Sequence, residues 1–177
     1  PMSRGAYLGG RFAAGYVAAL AVMLTCTLGI AIGGMMPWID AARLGPASWH
    51  GYAWAFGVMV VPDMLFIAAL LYLLATTTRS LLATYIGLIA YFVLQGIVGQ
   101  LTKDVNNHFI AAMLDPFGGR TLALVTRYWS ADQANHELPA LAGVLLFNRL
   151  LWSCLSLAML GATVALFRPN RGGLQLP

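Results

Sequence analysis

Two charged residues, Asp63 and Arg149, lie inside otherwise apolar stretches of the chain. A carboxylate near the middle of a membrane helix costs about 2.5 to 3.5 kcal/mol on insertion scales, so its side chain should face protein or water rather than lipid. A long arginine side chain can reach along a helix bundle toward such a partner. The two residues are therefore a candidate intramembrane polar pair. In the alternative, Arg149 snorkels to the outer interface, and a neutral Asp63 bonds to Gln95 or to a backbone carbonyl.

Metal chemistry is not indicated by the histidines. His136-Glu137 begins like the helix of a zinc protease, but the second histidine would have to stand at Ala140, and Pro139 would break that helix. The other histidines, at positions 50 and 108, lack ligand spacing as well. We expect no metal bound by this chain.

Nucleotide binding and catalysis also lack their sequence patterns. No glycine-rich loop followed by Lys and Ser or Thr is present, so the chain is not expected to cradle ATP by itself. An intramembrane enzyme built on Asp63 would need a second carboxylate, or a nucleophile and a base, and neither is evident. We therefore expect no catalytic residue and no cofactor site.

The composition places the chain in lipid. Hydrophobic residues make up 60% of the sequence, charged residues only 9%, and the mean hydropathy is +0.76, whereas soluble domains have roughly 25% charged residues. The net charge of +4 follows a pattern that reports membrane orientation rather than nucleic-acid binding. The first predicted partner is the bilayer, and no nucleic-acid partner is expected.

Four apolar stretches are each long enough to cross about 30 Å of hydrocarbon, which takes roughly 20 helical residues. They predict an all-α integral membrane fold with spans over residues 12–37, 51–76, 80–101 and 140–167. Residues 1–11 form a basic lead-in, and residues 168–177 a tail. Four glycines, spaced so that a second helix can approach closely, are candidate packing positions: Gly29, Gly33, Gly96 and Gly99.

The arginines predict the orientation. The start, the short return near residue 79 and the tail are free of acids and carry Arg4, Arg11, Arg79, Arg168 and Arg171. By the positive-inside rule both termini face the cytoplasm. The connection near Asp40 and the long connection over residues 102–139 then face outward.

The long outer connection and the segment that follows it, residues 102–152, together hold half of the charged residues. The residue pattern of the connection predicts short amphipathic helices. Asn107 could cap a helix over 108–114, a second covers 120–129, and Ser130 to Gln133 has capping-box spacing. Such helices either seal the bundle as an interfacial lid, or form an outer gate or re-entrant hairpin that lines a pathway. Candidate lid or gate residues are Asp115, Pro116, Phe117, Gly118, Arg127, Tyr128, Trp129, Asn148 and Trp152.

Six short motifs stand out along the chain. They are Gly10-Arg11-Phe12, Pro62-Asp63, Thr78-Arg79-Ser80, Asp115-Pro116-Phe117-Gly118, Arg127-Tyr128-Trp129 and Asn148-Arg149-Leu150-Leu151-Trp152. Together these motifs resemble one family, the permease part of bacterial ABC type-2 exporters. The likeness is greatest to the large permeases associated with, or fused to, an aminopeptidase-like domain. These relatives usually have Asn where this chain has Asp63.

The resemblance implies a permease half of six spans, with a coupling segment before the third span and short outer helices before the sixth. This chain would supply spans three to six, with residues 1–11 as coupling-like segment. It begins with Pro1 rather than Met, which suggests a processed chain or a piece of a longer one. ATP would then bind a separate ATPase subunit, and the missing first spans, a second half or further copies would complete the permease in the bacterial inner membrane. The alternative is a non-transporting accessory or scaffold subunit of a larger membrane complex.

Overall fold

The computed structural model describes residues 3–39, 48–101 and 108–167, and this part of the chain is helical with no strand. The predicted all-α class is therefore confirmed. The connection at Asp40, the Asn107 cap and the tail 168–177 lie outside the described residues. The helices are α1 (Arg4–Gly33), α2 (Trp49–Ala55), α3 (Val61–Thr78), α4 (Leu81–Leu101), α5 (His108–Met113), α6 (Gly119–Val125), α7 (Ala131–His136) and α8 (Gly143–Leu166).

Three of the described helices are long and apolar enough to cross a membrane. They are α1, the continuous helix Trp49–Thr78 and α8. Helix α4 has a shorter apolar part, Leu81–Ile97. The chain is thus a membrane protein by its helices, while a fourth crossing remains a prediction.

Several helix ends differ from those predicted. Helix α1 begins at Arg4 instead of residue 12, since the Ser3 hydroxyl accepts a hydrogen bond from the Ala6 N–H at 3.2 Å and caps the helix there. Helix α6 ends at Val125 and does not continue to residue 129. Helix α8 begins only at Gly143, because extended residues follow Pro139. The capping box at Ser130 and Gln133 is confirmed, with both reciprocal bonds present.

A π-helical turn, Phe56–Val60, joins α2 to α3 and ends two residues before Pro62. In a regular α-helix the proline ring would clash with the carbonyl four residues earlier, and a widened turn relieves that clash. The Tyr16 hydroxyl of α1 donates to the Val61 carbonyl at 2.8 Å. The helix therefore continues through Pro62, so that Asp63 stays inside a long apolar rod.

Helix α3 is central, because it contacts α1, α4 and α8. The Tyr72 hydroxyl donates to the Leu8 carbonyl of α1 at 3.0 Å. The buried Phe66 ring meets Tyr91 of α4 and Trp152 of α8, with centroid distances of 5.5 and 5.0 Å. The short helices α5 and α6 pack on each other and on α8. They therefore form a helical cap attached mainly to α8.

The described helices bury several polar side chains and expose many large apolar ones, which is unusual for a water-soluble protein. The exposed apolar residues are concentrated on α1, α4 and α8. Such a surface suits contact with lipid or with further helices. The buried polar residues are Thr84, Thr121, Asn148, Arg149, Ser156 and Thr163.

Candidate functional site

One face of α8 carries most of the buried polar side chains. Asn148 and Arg149 stand three and four residues after Leu145, and Ser156 stands seven residues after Arg149, so these residues share one side of the helix. This side faces α3 and the helical cap, which are the principal neighbours of α8. An arginine is thereby directed into the protein.

Arg149 forms an ion pair with Asp63 of α3. Its Nη1 donates to the Asp63 Oδ1 at 2.7 Å, and the two side chains are only 6% and 23% exposed. Its Nη2 donates to the Pro116 carbonyl at 3.0 Å, and its Nε donates to the Asn148 side-chain oxygen at 3.0 Å. A single guanidinium therefore links α3, the cap and α8.

Asn148 makes a second connection between α8 and the cap. Its Nδ2 donates to the backbone carbonyls of Ala112 at 2.8 Å and of Asp115 at 2.9 Å. The Thr121 hydroxyl also donates to the Ala112 carbonyl, at 3.0 Å. Asp63, Asn148 and Arg149, together with the cap carbonyls that they bind, are called the buried polar cluster below.

The turn between α5 and α6 is shaped to meet this cluster. The Asp115 carboxylate accepts hydrogen bonds from the backbone N–H of Phe117 at 3.1 Å and of Arg120 at 2.8 Å. Gly118 has a φ of +68°, and a Cβ there would overlap the Arg149 guanidinium. Only glycine provides both the left-handed backbone and the space.

Aromatic side chains extend the attachment. The Trp152 Nε1 donates to the Met113 carbonyl at 3.0 Å, while the Trp152 ring packs edge-on against Phe66 of α3. Phe117 of the turn stacks on Phe92 of α4 at 6.1 Å. The cap is thus held to α3, α4 and α8.

The structure brings together most of the predicted site residues. Asp63 and Arg149 are in contact, and the Asp115–Gly118 turn, Asn148 and Trp152 surround them. Neither part of the alternative arrangement is present. Arg149 is buried rather than snorkelling, and the Gln95 amide donates to the Tyr91 hydroxyl at 3.0 Å.

The predicted segment Arg127-Tyr128-Trp129 lies outside the cluster. Tyr128 is 88% exposed, and the Arg127 guanidinium lies over its ring at 5.6 Å from the centroid. These residues follow α6, so they are not part of the contact with α3.

The predicted packing glycines behave differently from one another. A Cβ added at Gly29, Gly33 or Gly96 would meet no described atom within 4 Å, so these three do not mediate contacts between the described helices. Gly99 does, since a Cβ there would lie 2.6 Å from the Arg120 Nη2. Close packing at the other three remains a prediction for helices outside this chain.

The sequence prediction missed Thr121 and the backbone acceptors. Thr121 is fully buried, but it stands in a short helix whose predicted apolar stripe used other positions. The carbonyls of Ala112, Met113 and Pro116 accept the key bonds. Backbone acceptors have no signature in the residue types. The polar residues of α8 were the available signal.

The cluster is closed in hydrogen-bonding terms. In the described ranges, every fully buried side-chain nitrogen or oxygen has a partner. The same part of the chain contains no group of three or more His, Cys, Asp or Glu residues placed to hold a metal. The arrangement is suited to holding α3, α8 and the cap in one fixed relative position.

Known proteins offer no further guide. Comparisons with protein-family models, with curated proteins and with solved structures found no match to this chain.

Proposed function

We propose that the chain is the membrane-spanning permease subunit, or a fragment of one, of an ATP-driven type-2 exporter. One observation carries the proposal. Three motifs that resemble such permeases, at Pro62-Asp63, at Asp115–Gly118 and at Asn148–Trp152, are far apart in sequence yet meet in the buried polar cluster. Motifs that converge in space are better support than motifs scattered over a surface.

The cluster supplies a physical role for the cap in export. An exporter alternates between two arrangements of packed helices, one of which releases substrate outward. The cap is held to α8 through Asn148 and to α3 through Arg149. Moving α8 away from α3 would break the ion pair while leaving the Asn148 bonds to the cap intact. The ion pair is therefore the bond that changes when the outer side opens.

The proposal includes a topology. Four crossings are formed by α1, the helix Trp49–Thr78, α4 and α8, with both termini in the cytoplasm of a bacterium and α5 to α7 outside. Arg79, in a left-handed conformation with a φ of 53°, makes the tight return between α3 and α4. In the proposed topology, this tight return would join α3 and α4 as neighbouring antiparallel crossings.

The proposal also assigns partners. The exposed apolar side chains of α1 and α4, among them Val17, Ile30, Leu82 and Ile89, would contact lipid or further transmembrane helices. ATP would be hydrolysed by a separate subunit, whose movement reaches this chain from the cytoplasmic side.

Purification of the chain from native membranes in mild detergent tests the proposal. The expected companion is an ATPase with a P-loop. ATP hydrolysis by the complex in liposomes should fall at least about tenfold in Arg149→Leu, because leaving Asp63 buried without its cation costs about 3 to 5 kcal/mol and so shifts the balance between the two helix arrangements. The control is Asp132→Asn, which removes one charge at an exposed position of α7, outside both the buried polar cluster and the coupling-like segment. Companions without any nucleotide-binding subunit would contradict the exporter proposal.

A non-transporting accessory or scaffold subunit is the second candidate. It is favoured by the complete hydrogen bonding of the buried polar cluster. Such a cluster can hold helices rigidly together as well as take part in a movement between them. The neighbouring coding sequence separates the two candidates, because an adjacent gene for a P-loop ATPase favours export. Co-purification of the chain with the membrane subunits of a different enzyme favours the scaffold.

A further inference from the structure

A groove of about 330 Å³ lies between α1, α3 and α4, toward the end of the bundle where α1 begins and α3 turns into α4. Helix α3 joins its two sides, because α3 contacts both α1 and α4. We call it the three-helix groove. None of its lining residues belongs to the buried polar cluster. Those that the proposal uses are Arg11, Phe12, Gly15 and Leu71.

The interior of the three-helix groove is apolar. Three of the four hydroxyl groups in its lining, those of Tyr16, Tyr72 and Thr84, already donate to backbone carbonyls. A Cβ added at Gly15 would meet no described atom within 4 Å, so the groove is open at this point of α1. Such a space fits a flexible hydrocarbon chain.

Among the described residues of the lining, Arg11 alone is charged. Its Nη1 donates to the Tyr7 hydroxyl at 3.0 Å, and its guanidinium lies 5.7 Å from the centroid of the Tyr7 ring. Because Tyr7 stands one turn earlier in α1, the guanidinium is directed toward the start of the helix. The hydrogen bond to Tyr7 uses one of the five N–H donors of an arginine. The exposed Arg11 therefore presents a cation beside the apolar groove.

The position of Arg11 along α1 matches the surface of a bilayer. The run Phe12–Gly33 carries no charge and spans about 33 Å at about 1.5 Å per residue. The hydrocarbon core of a bilayer is about 30 Å thick. With this run across the membrane, the Arg11 guanidinium lies at the level of the lipid phosphates, and Gly15 lies within the hydrocarbon.

The acids of the full sequence lie too far away to neutralise Arg11. Asp40 follows the far end of α1 by at most about 25 Å of extended chain, and Asp104 follows the far end of α4. Asp63 pairs with Arg149. The other acids are in the segment of the short helices, which meets the bundle beside Asp63. They are Asp115, Asp132 and Glu137.

We propose that the three-helix groove binds one anionic phospholipid of the surrounding membrane. The lipid phosphate accepts hydrogen bonds from Arg11, since a planar guanidinium suits phosphate oxygens. One acyl chain lies in the groove against Phe12, Gly15 and Leu71. A second copy of the chain in the same place would bring no negative charge to Arg11, whereas an anionic headgroup does. The site does not depend on export, because it uses residues outside the buried polar cluster.

The test measures the lipid that stays with the full chain when it is transferred into mild detergent from nanodiscs of mixed phosphatidylcholine and phosphatidylglycerol. Native mass spectrometry should show one phosphatidylglycerol retained by the wild-type chain in preference to phosphatidylcholine. Arg11→Gln should reduce that preference about fivefold, the factor expected for one basic side chain at an anionic surface. The control is Arg127→Gln, which removes the same charge at an exposed position after α6 and should leave the preference unchanged.

A second variant tests the apolar part of the site independently. Gly15→Leu fills the groove from α1, and it should fold because leucine is a better helix former than glycine. Retention of both lipids should be lost. Ala13→Leu is the matched control, since it adds a leucine at an exposed position of the same helix, about 200° around the axis from Gly15. This variant should retain lipid as the wild type does.

Three results would overturn the proposal. The first is equal retention of phosphatidylglycerol and phosphatidylcholine by the wild-type chain, which would mean that no cation selects the headgroup. The second is unchanged retention in Gly15→Leu, which would place the lipid elsewhere on the protein. The third is a lipid-free dimer that Gly15→Leu dissociates, which would assign the groove to a second copy of the chain.

Discussion

Arg149 is the residue on which the largest number of bonds in the buried polar cluster depends. It contacts Asp63, Asn148 and the Pro116 carbonyl. A buried charge left without its partner is strongly destabilising, because desolvation is no longer offset by attraction. The stability of the helix arrangement should therefore be sensitive to either member of the ion pair.

Arg149→Leu should lower the free energy of unfolding by about 3 kcal/mol, since it leaves the Asp63 carboxylate without its cation. Asp63→Asn should cost less, because the amide oxygen can still accept from Arg149. The measurement is denaturant unfolding in detergent for both single variants and the double variant. The double variant should cost less than the sum of the two, by at least about 1 kcal/mol. Strictly additive losses would show that the two side chains do not interact.

Gly118 allows a sharper test, because its neighbour provides a matched control. Gly118→Ala should lower the free energy of unfolding by about 1 to 3 kcal/mol, since it places a Cβ at positive φ and against Arg149. At Gly119, in the first turn of α6, a Cβ would lie 3.7 Å from the Asp115 carboxylate, an ordinary contact. Gly119→Ala should be neutral within about 1 kcal/mol. Equal effects of the two substitutions would argue against the described turn.

At the scale of elements, the cap is held by α8 rather than by its own helicity. Helices α5 and α6 are six and seven residues long, and helices this short are marginal in water. Their order must come from packing on α8 and from side chains such as Asn148. The cap is therefore expected to loosen when a single residue of α8 is changed.

Asn148→Ala should loosen α5 and the turn that follows it together, because the carbonyls of Ala112 and Asp115 both lose their donor. Hydrogen exchange is expected to become about tenfold faster in α5 and α6, with α1 unaffected. Ser153→Ala, a half-buried position on the same helix, serves as the control. Unchanged exchange in α5 would mean that the cap is held by other contacts.

The elements also show how far the sequence could predict this structure. The long helices and the capping box of α7 follow from apolar length and residue types, and both were predictable. The π turn before Pro62 was not, because proline signals a strained helix without indicating how the strain is relieved. The pair Asp63 and Arg149 could be nominated from the cost of burying charge. The backbone carbonyls that accept hydrogen bonds from Asn148 could not be predicted, since every residue type carries the same carbonyl group.

The same limit explains the glycines. Gly29 and Gly33 have the spacing of a helix contact, yet no described helix approaches them. Small residues four apart are frequent in apolar segments, so the spacing shows where close approach is possible rather than where it occurs. Gly99 was selected with the others, but the neighbour it accommodates is an arginine side chain.

At the scale of the whole molecule, the proposed four-crossing topology is defined by the side of the membrane on which each connection lies. The cap should be outside, and the start of α1 and the return between α3 and α4 should be inside. Single cysteines can report this in a background in which the two exposed natural cysteines, Cys26 and Cys154, are replaced by serine. Tyr128→Cys marks the cap, and Thr78→Cys marks the return, both at exposed positions.

Labelling of these variants in spheroplasts with a membrane-impermeant maleimide is the most direct test. The four-crossing topology predicts that the cysteine at position 128 reacts in intact spheroplasts, whereas the cysteine at position 78 reacts only after the membrane is permeabilised. Equal reaction of both positions in intact spheroplasts would place the cap and the return on one side, which contradicts the four-crossing topology.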